Sequence, residues 1–228
     1  MPRPLIPHRS AVILDNAEQL IIARGFDRTT VADISERSGI GKGAVYREFP
    51  SKEAVLDALL ARSMGRLVDE VQARVEETTQ AVGLAAIYRI AFHAMRGEPL
   101  VLALLHGDTD VLGGYVRERS DDRYERRLAW VIEYIGELQQ AGVVRAELPA
   151  DAVAIALSSL TIGLLSIGPL TGGLGDRQLE AALDVVVELV ERGLDQQADD
   201  DGASARTAQL RLLDRVRGQL PTATEGTT

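Results

Sequence analysis

Apolar residues recur at helical spacing along nearly the whole chain. No stretch alternates with the period of two that marks a half-buried strand. In Ser10–Arg24, Ile13, Ala17, Leu20 and Ile21 fall at i, i+4, i+7 and i+8, one apolar stripe, and Gly25 ends the helix. Thr30-Val-Ala-Asp33 predicts an N-cap with a reciprocal capping box. Val31, Ile34 and Ser38 form one short face, and Gly39 suits a left-handed turn before apolar Ile40. Lys42–Phe49 predicts a second short helix stopped by Pro50, and Ser51 caps a longer one running to about Val75. Further helices are expected at 82–96, 99–106, 115–141, 151–168 and 177–197. The breaks between them are Gly97–Pro99, Gly107–Gly114, Gly142–Pro149 and Gly168–Gly175. Ala198–Gly202 reads as a linker, Ala203–Leu220 as an additional helix, and the last eight residues as a disordered tail.

The fold class is therefore all-α. Its start is three short helices in about forty residues, which cannot bury much alone and must lean on helices later in the chain. The division expected is a helical head at 1–52, a helical core at 53–197, and a linker, helix and tail at 198–228.

Composition sharpens that division. With 46% hydrophobic residues among 228, wholesale disorder is excluded. The absence of Cys removes disulfides, zinc fingers, iron–sulfur clusters and thiol nucleophiles together, and the expected compartment is the cytoplasm. Net charge is −9, but unevenly spread: residues 1–52 hold eight bases and six acids (+2), and residues 53–228 hold 17 bases and 28 acids (−11). Two parts of such different charge imply different partners.

Residues 30–49 combine a capped helix, a glycine turn and a second short helix. That is the helix-turn-helix order, in which the second helix enters the DNA major groove and the first crosses the backbone. Gly41 and Gly43 leave the start of the second helix bare, Lys42 brings a cation, and Ala44 offers a methyl to a thymine. Tyr46 follows one turn later with a hydroxyl for a phosphate, Lys52 can grip the adjacent phosphate, and the Thr30 hydroxyl and helix start favour an anion.

Thr29-Thr-Val-Ala-Asp-Ile-Ser-Glu-Arg-Ser-Gly-Ile-Gly-Lys-Gly-Ala-Val-Tyr-Arg-Glu-Phe-Pro-Ser-Lys-Glu-Ala54 resembles the DNA-binding signature of the TetR family of bacterial transcriptional regulators. The match spans about fifty residues, from the first helix to Leu59; the rest resembles the family only in helix number and length. The resemblance implies an all-α homodimer with a three-helix head per subunit and a ligand-binding, dimerising core. It also implies a repressor that leaves a double-stranded operator when a small-molecule effector binds. By position, Lys42, Gly43 and Ala44 match the base-reading start of the recognition helix, and Thr30, Tyr46 and Lys52 match phosphate contacts. Thr29 and Arg47 complete the candidate DNA-facing set. Arg47 and Glu48 depart from the commoner pattern, in which an aromatic or His follows the Tyr; Glu48 is expected to offset charge beside Arg47 or Lys52. Arg3 and Arg9 lie in a Pro-rich arm, read as a disordered leader more readily than as a minor-groove arm.

Other signals are weaker. Gly39-Ile-Gly-Lys-Gly-Ala44 matches a dinucleotide fingerprint but lacks the preceding strand and long following helix. His106, Asp108 and Asp110 have no fourth ligand nearby, so a polar loop is expected rather than a metal site. His93, inside an apolar helix, is expected to be a hydrogen-bonded core residue. No catalytic spacing stands out, and neither an enzyme nor a cofactor is expected. The rival reading is a small-molecule binding protein or enzyme on the same core with a vestigial head.

Ala152–Gly175 carries no charge and nears the length of a membrane span. Ser158, Ser159, Thr161, Ser166 and Pro169 dilute it, so a buried or paired helix is expected and no membrane partner. One of its faces carries Val153, Leu157, Leu160 and Leu164; another carries Ile155, Ser159, Ile162 and Ser166. The resemblance places dimerisation on this helix and on 177–197, whose stripe is Leu179, Leu183, Val186, Val190 and Leu194. Leu157, Ile162, Leu183, Val186 and Val190 are the expected interface residues. Tyr88, Phe92, Met95, Trp130 and Tyr134, the large side chains of the middle helices, are the candidate effector contacts.

Overall fold

A computed structural model of the chain describes residues 8–77, 83–118, 121–170, 175–196 and 203–218. Among them are α1 (Arg9–Arg24), α2 (Val31–Ser38), α3 (Lys42–Glu48), α4 (Lys52–Glu77), α5 (Leu84–Arg96) and α6 (Pro99–His106). Then come α7 (Thr109–Leu112), α8 (Tyr115–Glu118), α9 (Asp121–Gln140), α10 (Ala150–Leu170), α11 (Asp176–Gly193) and α12 (Ala203–Gly218). No strand occurs among the described residues; Val144 and Asp195 form one isolated antiparallel bridge. The fold is the all-α one that the periodicity predicts. Arg3, the 198–202 linker and the last eight residues lie outside the described residues.

The described residues form two compact units. The first takes those up to Met64 together with Pro99–Glu118; the second takes Gly65–Glu98 and those from Asp121 to Gly218. In the first, Ile13, Ala17 and Ile21 of α1 meet Ile34 of α2, Val45 of α3 and Leu56 and Leu59 of α4. Leu100 of α6, Leu112 of α7 and Tyr115 of α8 close the same cluster. The support that the three short helices need comes from α4 and from α6–α8. Each buried Ile or Leu there contributes about 1.5–3 kcal/mol.

The 107–114 break holds a helix. Asp108 caps α7, accepting from the amides of Asp110 (2.8 Å) and Val111 (3.1 Å). That bonding gives Asp108 a structural role within the polar segment expected there.

In the second unit, Tyr88 and Phe92 of α5, Ile135 and Leu138 of α9, Val153 and Leu157 of α10, and Leu183, Val186 and Val190 of α11 share one core. Helix α12 packs on the same core through Ala208 and Leu213. Its Arg215 pairs with Glu133 (2.6 Å) and Glu137 (3.4 Å) of α9. His93 differs from its expected place: it is exposed, with Nε2 3.6 Å from Glu180. The apolar stripe of α5 turns Phe92 inward, and the next residue points out.

Candidate nucleic-acid interface

The head begins with a turn that the sequence specifies closely. At Thr30, the amide and hydroxyl both donate to Asp33 Oδ2 (2.8 and 2.7 Å), and the Asp33 amide lies 3.2 Å from the Thr30 hydroxyl oxygen. Arg24, at the end of α1, reaches the same carboxylate at 2.6 Å. The Thr30 hydroxyl first and its amide next hold the Asp33 carboxyl below the usual carboxylate range; burial opposes them, and Arg24 adds a smaller lowering. Gly39 is left-handed (φ 68°), the Ile40 amide returns to the Ser35 carbonyl, and the Ser35 hydroxyl donates to the Ile40 carbonyl at 2.6 Å. This pins the angle between α2 and α3. Val45, fully buried, anchors α3 from beneath.

The outer surface of α3 is the open one. Lys42, Gly43, Tyr46 and Arg47 are exposed, Tyr46 by 52%, and Ala44 is half-buried. A Cβ on Gly43 would meet nothing within 4 Å, so backbone or base can approach there. An open concavity is lined by Thr29, Thr30, Val31, Ala32, Lys42, Tyr46 and Lys52. The Tyr46 hydroxyl and the two ammonium groups thus border one recess, with the chemistry to hold a phosphate oxygen, while the Thr30 hydroxyl beside them gives its proton to Asp33.

Three residues need correction. Thr29 is fully buried; its hydroxyl donates to the Gly25 carbonyl at 2.9 Å and its amide to the Phe26 carbonyl at 3.1 Å. It folds the turn and backs the recess from beneath, with its hydroxyl spent on Gly25 and no exposed surface to offer DNA. Glu48 pairs with Arg9 at 3.4 Å, neither with Arg47 nor with Lys52, and Arg9 itself is the first residue of α1 and not part of a leader. Lys52 also holds more than sequence shows. Its ammonium donates to the Phe26 carbonyl at 3.0 Å and lies 4.1 Å from the centre of the Phe26 ring. Phe26 carries no motif signal; an aromatic just after a helix-ending glycine is its one trace in the sequence.

The second unit gathers three of the five candidate effector contacts. Tyr88, Phe92 and Tyr134 are buried in one core cluster, and Met95 and Trp130 are half-buried. The Thr161 hydroxyl lies 3.1 Å from the Tyr88 hydroxyl and 2.8 Å from the Leu157 carbonyl. Burial raises the Tyr88 phenol above its ordinary value, with Thr161 opposing. Burial raises Tyr134 much further, with Gln209 of α12 opposing. Both stay neutral hydroxyls throughout the physiological range.

Of the expected interface residues, Leu157, Leu183, Val186 and Val190 are buried within this chain's own core. Only Ile162 is exposed, by 37%. The outward apolar residues are instead Ile155 (51%) and Leu160 on α10 and Val185 (57%) and Leu189 (62%) on α11. Helix α10 is long and apolar enough by composition to cross a membrane (mean hydropathy 1.8 over Ala150–Ile167). One of its stripes is already spent on the core, while Ile155, Ser159 and Ile162 form an outward one.

Residues 13–59 match the model of "Bacterial regulatory proteins, tetR family". Over 148 residues the chain is 27% identical to the nucleoid occlusion factor SlmA of Actinobacillus pleuropneumoniae, covering 64% of this chain and 69% of that protein. It is 28% identical over 200 residues to the HTH-type transcriptional repressor Rv1474c of Mycobacterium tuberculosis, covering 84% of this chain and all of that one. The fold is similar to that of the transcriptional regulator FadR from Bacillus subtilis, solved with stearoyl-CoA (TM-score 0.61, 19% identity, 79% of this chain and 96% of that one). Residues 13–59 are thus similar to the tetR family of bacterial regulatory proteins, and the chain carries them on an all-α fold similar to that of solved transcriptional regulators.

Proposed function

We propose that the chain is a ligand-responsive repressor that binds a near-palindromic DNA operator as a homodimer in the cytoplasm and is released by a small molecule. The observation that carries this reading is the recess between α2, α3 and the start of α4. There Thr30, Lys42, Tyr46 and Lys52 surround one open surface beside the bare Gly43. Lys42, Gly43 and Ala44 read bases from the start of α3 with Arg47 facing the DNA beyond them, Tyr46 and Lys52 hold phosphates, and Thr30 lines the phosphate side of the recess. Similarity to the repressor Rv1474c supports the sign of regulation.

A single head offers too few contacts for a specific site. Two heads on successive major grooves, one helical turn or about 34–36 Å apart, supply them. The outward Ile155, Ile162, Val185 and Leu189 give a second copy an apolar face to cover. The effector binds among the middle helices of the second unit, around Tyr88, Phe92, Met95, Trp130 and Tyr134. A protein of similar fold solved with stearoyl-CoA supports effector binding as such. An effector relieves repression only by preferring a state whose head spacing misfits the operator.

The test is an anisotropy titration of labelled duplex DNA with the purified chain. Binding that weakens steeply with salt is expected, reduced on every sequence by Tyr46→Phe, and reduced with altered base preference by Lys42→Ala. Binding untouched by both substitutions rejects the site.

A further inference from the structure

Phe26 meets residues of α4, α7 and α8, all within the first unit. Its carbonyl accepts from the Lys52 ammonium at 3.0 Å, and its ring lies under the same ammonium at 4.1 Å. Its amide donates to the Val111 carbonyl of α7 at 2.8 Å. Its ring meets Tyr115 of α8 edge-on, with centroids 6.3 Å apart at 67°. Tyr115 in turn donates its hydroxyl to Asp57 of α4 at 2.5 Å. Gly25, left-handed at φ 85°, lies so close to the Asp110 carbonyl that a Cβ would collide with it. The ring is only 4% exposed. Its place is therefore set by the 110–115 segment, and in turn it sets the place of Lys52.

We propose that Phe26 is a positioning residue for DNA binding: it holds Lys52 as a pre-ordered phosphate clamp, and the α7–α8 segment fixes it in that role. The inference rests on the DNA-binding reading above. A lysine free in solution loses its rotamer freedom when it grips a phosphate, a cost that recurs for each immobilised long side chain. Here the ring and the carbonyl have already ordered the stem. One ammonium proton goes to the Phe26 carbonyl, and two remain for a phosphate oxygen. The cation–π contact holds the charge at the rim of the recess instead of letting it swing into solvent. Nothing in the helix-turn-helix motif encodes this, because Phe26 and Lys52 are 26 residues apart and Phe26 contacts no DNA-facing helix position by sequence spacing.

The experiment is a double-mutant cycle on the full chain: wild type, Phe26→Leu, Lys52→Met and the pair, titrated with a mixed-sequence duplex over a range of salt. Each single substitution is expected to weaken binding about 3–10-fold. Lys52→Met is expected to flatten the log–log salt slope by about 0.9 per head. The pair is expected to bind no more weakly than Lys52→Met alone, and Phe26→Tyr to bind like wild type. In the free protein, the Lys52 ε-methylene proton resonances are expected upfield of ordinary lysine values under the ring current, and at those values in Phe26→Leu. Circular dichroism checks folding; if Phe26→Leu does not fold, Phe26→Met replaces it with the same expectation. Losses that multiply in the pair, or an unshifted Lys52 in wild type, overturn the clamp while leaving DNA binding intact. A wild type that binds no duplex at low salt overturns the DNA-binding reading and the clamp with it.

Discussion

Asp195, just past the end of α11, places its carboxylate 3.0 Å from the amide of Leu84, 111 residues earlier, and 3.2 Å from that of Ala85. The start of α5 is thus capped from the far end of the second unit. Those amides have no partner within their own helix, so the carboxylate takes the place that an N-cap side chain usually fills.

Asp195→Ala should lower stability by about 1–2 kcal/mol, read by denaturant unfolding. Burial raises the Asp195 carboxyl above its ordinary value of 3.8, the two amides oppose this, and Glu191 adds to it. The folded state then holds the proton more tightly than the unfolded one, and the contribution of Asp195 falls as pH rises from 3.8 through the raised value. The penalty of Asp195→Ala is expected to be larger on the acid side of that window than above it. Asp33 runs the other way. Its lowered pKa gives a contribution that is full above 3.8 and lost as pH falls below it, so the penalty of Asp33→Ala should shrink in acid.

Val185 and Leu189 are outward on α11, while Leu183 is fully buried. Val185→Glu with Leu189→Glu should leave the fold of the single chain intact and yield monomers by light scattering. Leu183→Ala should cost about 2–5 kcal/mol of stability by opening a cavity. A dimer that survives the paired glutamates places the interface elsewhere.

Gly113 is left-handed (φ 59°), and a Cβ there would strike the Asp27 carboxylate. Gly113→Ala combines backbone strain with that collision and should lower stability by about 1–2 kcal/mol, read as a lower Tm. An unchanged Tm would mean that the Asp27–Gly113 packing is dispensable.

The local chemistry of the head was legible because it is local. The Thr30–Asp33 box, the left-handed Gly39 and the Pro50 stop each depend on residues within a few positions. The features hidden from the sequence depend on partners far along the chain. The stripe on α11 shows that Leu183, Val186 and Val190 are buried, but periodicity does not say whether by this chain or by a second copy. Helix α7, at four residues, is too short for a periodic signal, although Asp108 is a proper cap for it. Glu48 found Arg9 at a separation of 39, and Lys52 found Phe26 at 26. Neither pairing has a spacing rule.

Selection of bound fragments from a random duplex pool, at near-physiological salt, puts the operator-binding dimer to the test. The predicted result is a near-palindromic motif with half-sites one helical turn or a multiple apart, absent when Lys42→Ala and Tyr46→Ala are combined. Full enrichment in that double variant, or a motif without two-fold symmetry, would show that the chain does not bind DNA in this way.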